Sequence, residues 1–143
     1  MFNKLLKGIF ALAIFAMVNS PAQAFYSDMD QDHWAYQSIK FLTEIGVVVG
    51  FPDGTYKPDI PVTRAEFASM AIKALGQDNT TVTQDIHFED ITPDFWAYDI
   101  IKKAVYFDLI PNAKGESYRP FDPVSRAEAI NIAVNSLTTN TIS

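Results

Sequence analysis

A chain of 143 residues has room for one small domain or two very small lobes, which excludes two independent large cores. A hydrophobic content of 48% against 20% charged residues is that of a folding globular chain, and the lack of cysteine excludes disulfides, thiolate metal sites, a thiol nucleophile and a lipidated cysteine. The formal charge of −6, with no basic stripe along the chain, argues against nucleic acid as a partner.

Residues 1–24 carry the marks of a secretory signal peptide. Lys4 and Lys7 precede an apolar run from Gly8 to Val18, short of the roughly 20 residues a spanning helix needs, and Ala22-Gln23-Ala24 gives a small-x-small cleavage pattern. Cleavage is expected after Ala24. It removes two lysines and no acid, so the remainder is more acidic still, and that remainder has no other run long enough to span a bilayer.

A first helix is expected behind Asp32 as its N-cap, with Ala35, Ile39, Leu42 and Ile45 recurring at three and four residues to form one apolar face. Gly46 supplies a stop, and Pro52-Asp53-Gly54-Thr55 is a turn signal in the loop that follows. A second helix is expected from Thr63, burying Phe67, Met70, Ala71 and Ala74. Thr63-Arg64-Ala65-Glu66 has the spacing of a capping box, in which the Thr63 hydroxyl accepts from the third helical amide and Glu66 reaches back to the Thr63 amide. Residues 76–87 are polar and aperiodic and read as a linker.

Beyond the linker the pattern starts again. A shift of 62 positions lays Tyr26 on Phe88, Asp28 on Asp90, Trp34-Ala35-Tyr36 on Trp96-Ala97-Tyr98 and Arg64-Ala65-Glu66 on Arg126-Ala127-Glu128, without a gap. The second copy is expected to cap a helix at Asp94 with Ala97, Ile101, Ala104 and Phe107 on its apolar face. A last helix then starts at the box formed by Ser125 and Glu128 and buries Ile130, Ala133 and Leu137. Residues 138–143 read as a polar tail. The expected fold is therefore mostly α, with helix-loop-helix repeats at 25–75 and 88–137 after a cleaved signal peptide.

The capping box explains Thr63 and Glu66 but leaves Arg64 without a reason. A cation at the first helical position faces the positive end of the helix dipole, at a cost of about 0.3–1 kcal/mol. Two physical readings stay open: a structural salt bridge to a nearby Asp, or a bound carboxylate held by the guanidinium and the helix-start amides. Trp34 and Trp96 are read first as core plugs between helix and loop, with sugar stacking as the second reading. Asp28-x-Asp30-x-Asp32 resembles the opening of a calcium loop, but His33 stands where the loop needs Gly and Ile39 where it needs Glu. His33 and His87 have no ligand-spaced partner. With no Gly-rich phosphate loop, nucleophile elbow or His-Glu-x-x-His, the chain is expected to be no enzyme and to use neither metal nor cofactor.

Asp28, Trp34-Ala35, the loop Gly50-Phe51-Pro52-Asp53-Gly54-Thr55-Tyr56, Pro58 and Val62-Thr63-Arg64-Ala65-Glu66 together resemble the S-layer homology motif, and the second copy repeats most of it. The resemblance implies a non-catalytic module that holds an exported protein in the cell envelope by binding a wall glycan, either a pyruvylated secondary polymer or peptidoglycan. It implies a site made by Arg64 as carboxylate clamp with Trp34, Asp53, Gly54 and Tyr56, and a weaker contribution from Arg126. Members typically pack three copies with grooves between lobes. This sequence has two copies, and Asn112-Ala113-Lys114-Gly115-Glu116-Ser117 replaces the Gly-rich loop in the second. A rival expectation is an assembly subunit that pairs with itself or with other chains of this kind and binds no glycan.

Overall fold

The computed structural model describes residues 25–111 and 116–139. The expected signal peptide with its cleavage site, the 112–115 stretch of the second loop and residues 140–143 lie outside them. Among the described residues there are four helices and no strand: α1 (Tyr36–Glu44), α2 (Arg64–Ala74), α3 (Tyr98–Tyr106) and α4 (Arg126–Thr139). The last helix therefore runs through Thr138 and Thr139, the start of the expected tail. None of these helices is long and apolar enough to cross a membrane.

The helices of the two copies start and stop by the same local chemistry. Both capping boxes form: the Thr63 hydroxyl accepts from the Glu66 amide at 3.3 Å while Glu66 takes the Thr63 amide at 2.9 Å, and Ser125 and Glu128 repeat the exchange at 3.2 and 2.9 Å. At the other end of α1, the Gly46 amide reaches the Thr43 carbonyl and the Val47 amide the Leu42 carbonyl, a Schellman closure that requires a left-handed residue at position 46. Gly46 adopts φ +77°, and in the second copy Asp108 takes the same role at φ +56°.

Asp32 and Asp94 do not cap α1 and α3. The N-caps are Ala35 and Ala97, without a side-chain bond. Successive tight turns carry the chain into each helix instead, with the His33 amide on the Asp30 carbonyl and the Tyr36 amide on the His33 carbonyl, and these satisfy amides that a cap would otherwise hold. The residue at the cap has to be small, because Ala97 is fully buried.

A different aspartate has the architectural task. Asp28 accepts the Tyr56 amide at 2.7 Å and the Lys57 amide at 2.6 Å, one on each carboxylate oxygen, and Asp90 holds Tyr118 and Arg119 likewise at 2.6 and 2.7 Å. The pinned residues Lys57 and Arg119 both stand at positive φ, near +59° and +56°, where side chains are rare. Two charge-assisted bonds hold each loop in that conformation and tie the start of a copy to its loop. At the turn, Gly50 has no room for a Cβ, which would lie 2.1 Å from the Tyr26 ring, and Gly54 turns through φ +80°.

The main core does not follow the repeat boundary. Ala65, Ala68 and Ile72 of α2 are buried in one cluster with Ala97, Ile101, Ala104 and Leu109 of the second copy, while the rest of the first copy keeps a small cluster of Tyr26, Met29, Ala35, Tyr36 and Ile39. Full burial of Ile72, Ile101 and Leu109 contributes about 1.5–3 kcal/mol each. Several expected core positions are not in it. Ile130 and Leu137 are largely exposed and Ala133 is exposed, because α4 presents Ile132 to the core and leaves its other apolar side uncovered. Trp34, read first as a core plug, is 90% exposed, and Trp96 is 56% exposed.

Candidate functional site

The joint between copies is built around Arg64. Its Nε donates to the Tyr118 carbonyl at 2.8 Å, its guanidinium forms an ion pair with Glu128, and it lies over the Tyr118 ring at 4.8 Å. Tyr118 answers by donating its hydroxyl to the Arg64 carbonyl at 3.1 Å. Burial pushes the Tyr118 phenol up to about 12 against the opposing pull of Arg64, so the hydroxyl remains a donor at all ordinary pH. The Arg64 and Ala65 amides, which a helix start leaves open, are taken by the Asp122 and Pro120 carbonyls at 2.9 and 3.1 Å, and the Val124 amide by the Val62 carbonyl at 2.9 Å. The salt-bridge reading of Arg64 therefore describes its present partner, which is a Glu of the other copy and not an Asp.

Two grooves flank this joint and are related by the repeat. The first, about 250 Å³, lies between Val47–Val49 and α2, with Tyr56, Glu66 and Met70 on its walls, Lys57 and Lys73 at its edge and Trp96 closing it from the second copy. The second, about 220 Å³, is formed by the matching residues Leu109, Ile110, Tyr118, Glu128 and Ile132, and Arg64 enters it from the first copy. Each groove thus draws on a neighbour, the first for a tryptophan and the second for an arginine.

The residues nominated from sequence are not gathered at one place. Tyr56 lines the first groove and Arg64 the second. Asp53 is engaged in the turn itself, accepting the Thr55 amide at 3.0 Å and the Thr55 hydroxyl at 2.5 Å and pairing with Lys57 at 3.2 Å. These bonds, led by the Thr55 hydroxyl, hold its carboxyl below the usual carboxylate range. Gly54 follows it, and its carbonyl takes the Ser27 amide at 3.0 Å. Trp34 and Arg126 are exposed on the outside of their copies. Lys57, Lys73 and Trp96 were missed as groove residues. The repeat itself could have pointed to Trp96, since the copies share a groove.

The degenerate second loop keeps one contact of the intact one: the Glu89 amide reaches the Glu116 carbonyl at 3.2 Å, as Ser27 reaches Gly54. No group of three or more His, Asp or Glu among the described residues is arranged to hold a metal ion.

Comparison with known proteins agrees with this architecture. The profile described as S-layer homology domain matches residues 25–68 and again 87–130. The chain is 35% identical over 121 residues to cell surface glycoprotein 1 of Acetivibrio thermocellus, which covers 78% of the chain and 5% of that protein. It is 34% identical over 120 residues to the cellulosome-anchoring protein of the same organism, covering 78% of the chain and 26% of the relative. It is 28% identical over 140 residues to the S-layer protein of Bacillus licheniformis, covering 94% of the chain and 16% of the relative. The chain therefore spans a small part of the length of these relatives.

Proposed function

Because this chain belongs to the S-layer homology domain family, we propose that it is a non-catalytic envelope module that binds an anionic wall glycan without covalent chemistry. The names of its relatives, a cell surface glycoprotein, an anchoring protein and an S-layer protein, support a place at the cell surface. The observation that carries the glycan reading is the first groove. An exposed indole and a phenol offer flat apolar faces to sugar rings, and Lys73 at the edge offers a cation to a pyruvyl or lactyl carboxylate, with Lys57 held there by Asp53. Asp53 and Gly54 serve by holding the turn that carries Phe51 and Lys57 to that edge. Export by the residue 1–24 signal is part of the same proposal.

Co-sedimentation with purified wall sacculi tests it. The wild-type protein should pellet with sacculi, and Trp96→Ala should weaken binding about tenfold, the equivalent of about 1.4 kcal/mol of lost stacking. Lys73→Glu should weaken it with little change in helix content. A wild-type protein that stays in the supernatant overturns glycan binding. If it pellets only when another S-layer homology chain is present, the assembly reading takes its place; the uncovered apolar side of α4 favours that reading.

A further inference from the structure

The internal joint shows what one copy presents to the next, and the repeat then specifies what the second copy presents onward. On α2, Ala68 and Ile72 are 0% and 1% exposed against the second copy; their counterparts on α4, Ile130 and Val134, are 53% and 51% exposed. The backbone repeats the contrast. The Arg64 and Ala65 amides are bonded across the joint, whereas the amides of Arg126 and Ala127 and the Arg126 guanidinium have no partner among the described residues.

We infer that this face receives the first repeat of a second copy of the same chain, head to tail, with Arg126 entering the second copy's first groove. The receiving half is already in place in every molecule. The Asp122 and Pro120 carbonyls that take the α2 amides correspond to those of Ile60 and Pro58, and Tyr118 and Glu128, which hold Arg64, correspond to Tyr56 and Glu66. Glu66 lines the first groove with one oxygen committed to its capping box and the other open, the arrangement in which Glu128 accepts Arg64. Ile130 stands where Ala68 does and Leu42 where Ala104 does, so the docked helices lie farther apart than α2 and α3 and enclose larger side chains. The same register brings Trp34 of the second copy beside the second groove, as Trp96 lies beside the first. A lone chain has one groove without an arginine and one without a tryptophan, and the contact completes both. It is a heterologous interface, which grows into a ring if its rotation closes and a filament if it does not.

The inference is independent of glycan binding and is tested without wall material, by sedimentation velocity of the purified protein over a range of concentrations. Self-association is expected, with the dissociation constant raised about tenfold to a hundredfold by Arg126→Glu and raised also by Val134→Asp. Both positions are exposed and an acid suits a helix start, so circular dichroism should remain that of the wild type. Glu66→Arg alone should also dissociate the assembly, and an equimolar mixture with Arg126→Glu should associate again, because the Arg126 of the first variant meets the native Glu66 of the second. As a second readout, Trp34 fluorescence in a Trp96→Phe background should shift to the blue on association. A monomer at every concentration, or an assembly indifferent to both Arg126→Glu and Val134→Asp, overturns the inference.

Discussion

Arg64 and Arg126 open the same motif in two copies, yet only the first is held: by a carbonyl, a carboxylate and a ring across the joint. Arg64→Ala should cost about 1.5–3 kcal/mol, the range for charge-assisted bonds in a partly enclosed setting, and Arg126→Ala close to nothing in a dilute monomer. Urea denaturation of both variants measures the difference. Asp28 makes a second residue-scale prediction. The Tyr56 amide foremost, then that of Lys57, holds its carboxyl below the ordinary value of 3.8. A carboxyl depressed in the folded state stabilises above its unfolded pKa and loses that contribution as pH falls through the folded one. Stability should therefore drop on acidification below 3.8, and Asp28→Asn should be less stable at neutral pH with a shallower drop. Titrating the melting temperature of both proteins from pH 6 to about 2.5 measures it.

At the scale of elements, what could be read from sequence was what neighbours in sequence decide. The boxes at Thr63 and Ser125 were legible because cap and third helical residue are three apart, and the α1 stop was legible in Gly46. The start of α1 was not, because Asp32 has the right chemistry for a cap and consecutive turns took its task. Nor was the stop of α3, where Asp108 bears a left-handed conformation that glycine adopts freely. Asp108→Gly should stabilise the protein by about 1 kcal/mol, since a left-handed residue with a side chain costs about 1–2 kcal/mol and the more flexible unfolded glycine returns part of it. Differential scanning calorimetry should show a higher melting temperature. The exposure of Ile130 and Leu137 was also hidden: their spacing marks a face that can be covered and says nothing of how many neighbours are there to cover it. The candidate site was legible in its residue types and not in its grouping, because Arg64 and Trp96 each serve the groove of the other copy.

At the scale of the whole molecule, the sequence repeat and the structural unit are out of step. The sequence divides at residues 76–87, but that segment has Ile86 buried in the main core and Tyr98 donating to Asp85 at 3.0 Å, so it is fastened to the second copy. The helix before it is fastened there too. Since α2 shares its core with α3 and meets α4, while α1 contributes only Tyr36 and Ile39 to a separate cluster of five buried residues, the cooperative unit should comprise α2, α3 and α4. Amide hydrogen exchange on the monomer should show α1 opening first, with α2 protected to the level of α3; equal protection of α1 and α2, with α3 slower than both, would mean that each copy unfolds alone. The left-handed stops at Gly46 and Asp108 then acquire a further meaning. If α1 opens first as expected, Gly46, between α1 and the Val47–Val49 side of the first groove, is the position about which α1 would move while the α2–α3 core stays intact. The Val47–Val49 side of the groove, which follows α1 in the chain, would thus be adjustable, while the wall formed by α2 stays fixed.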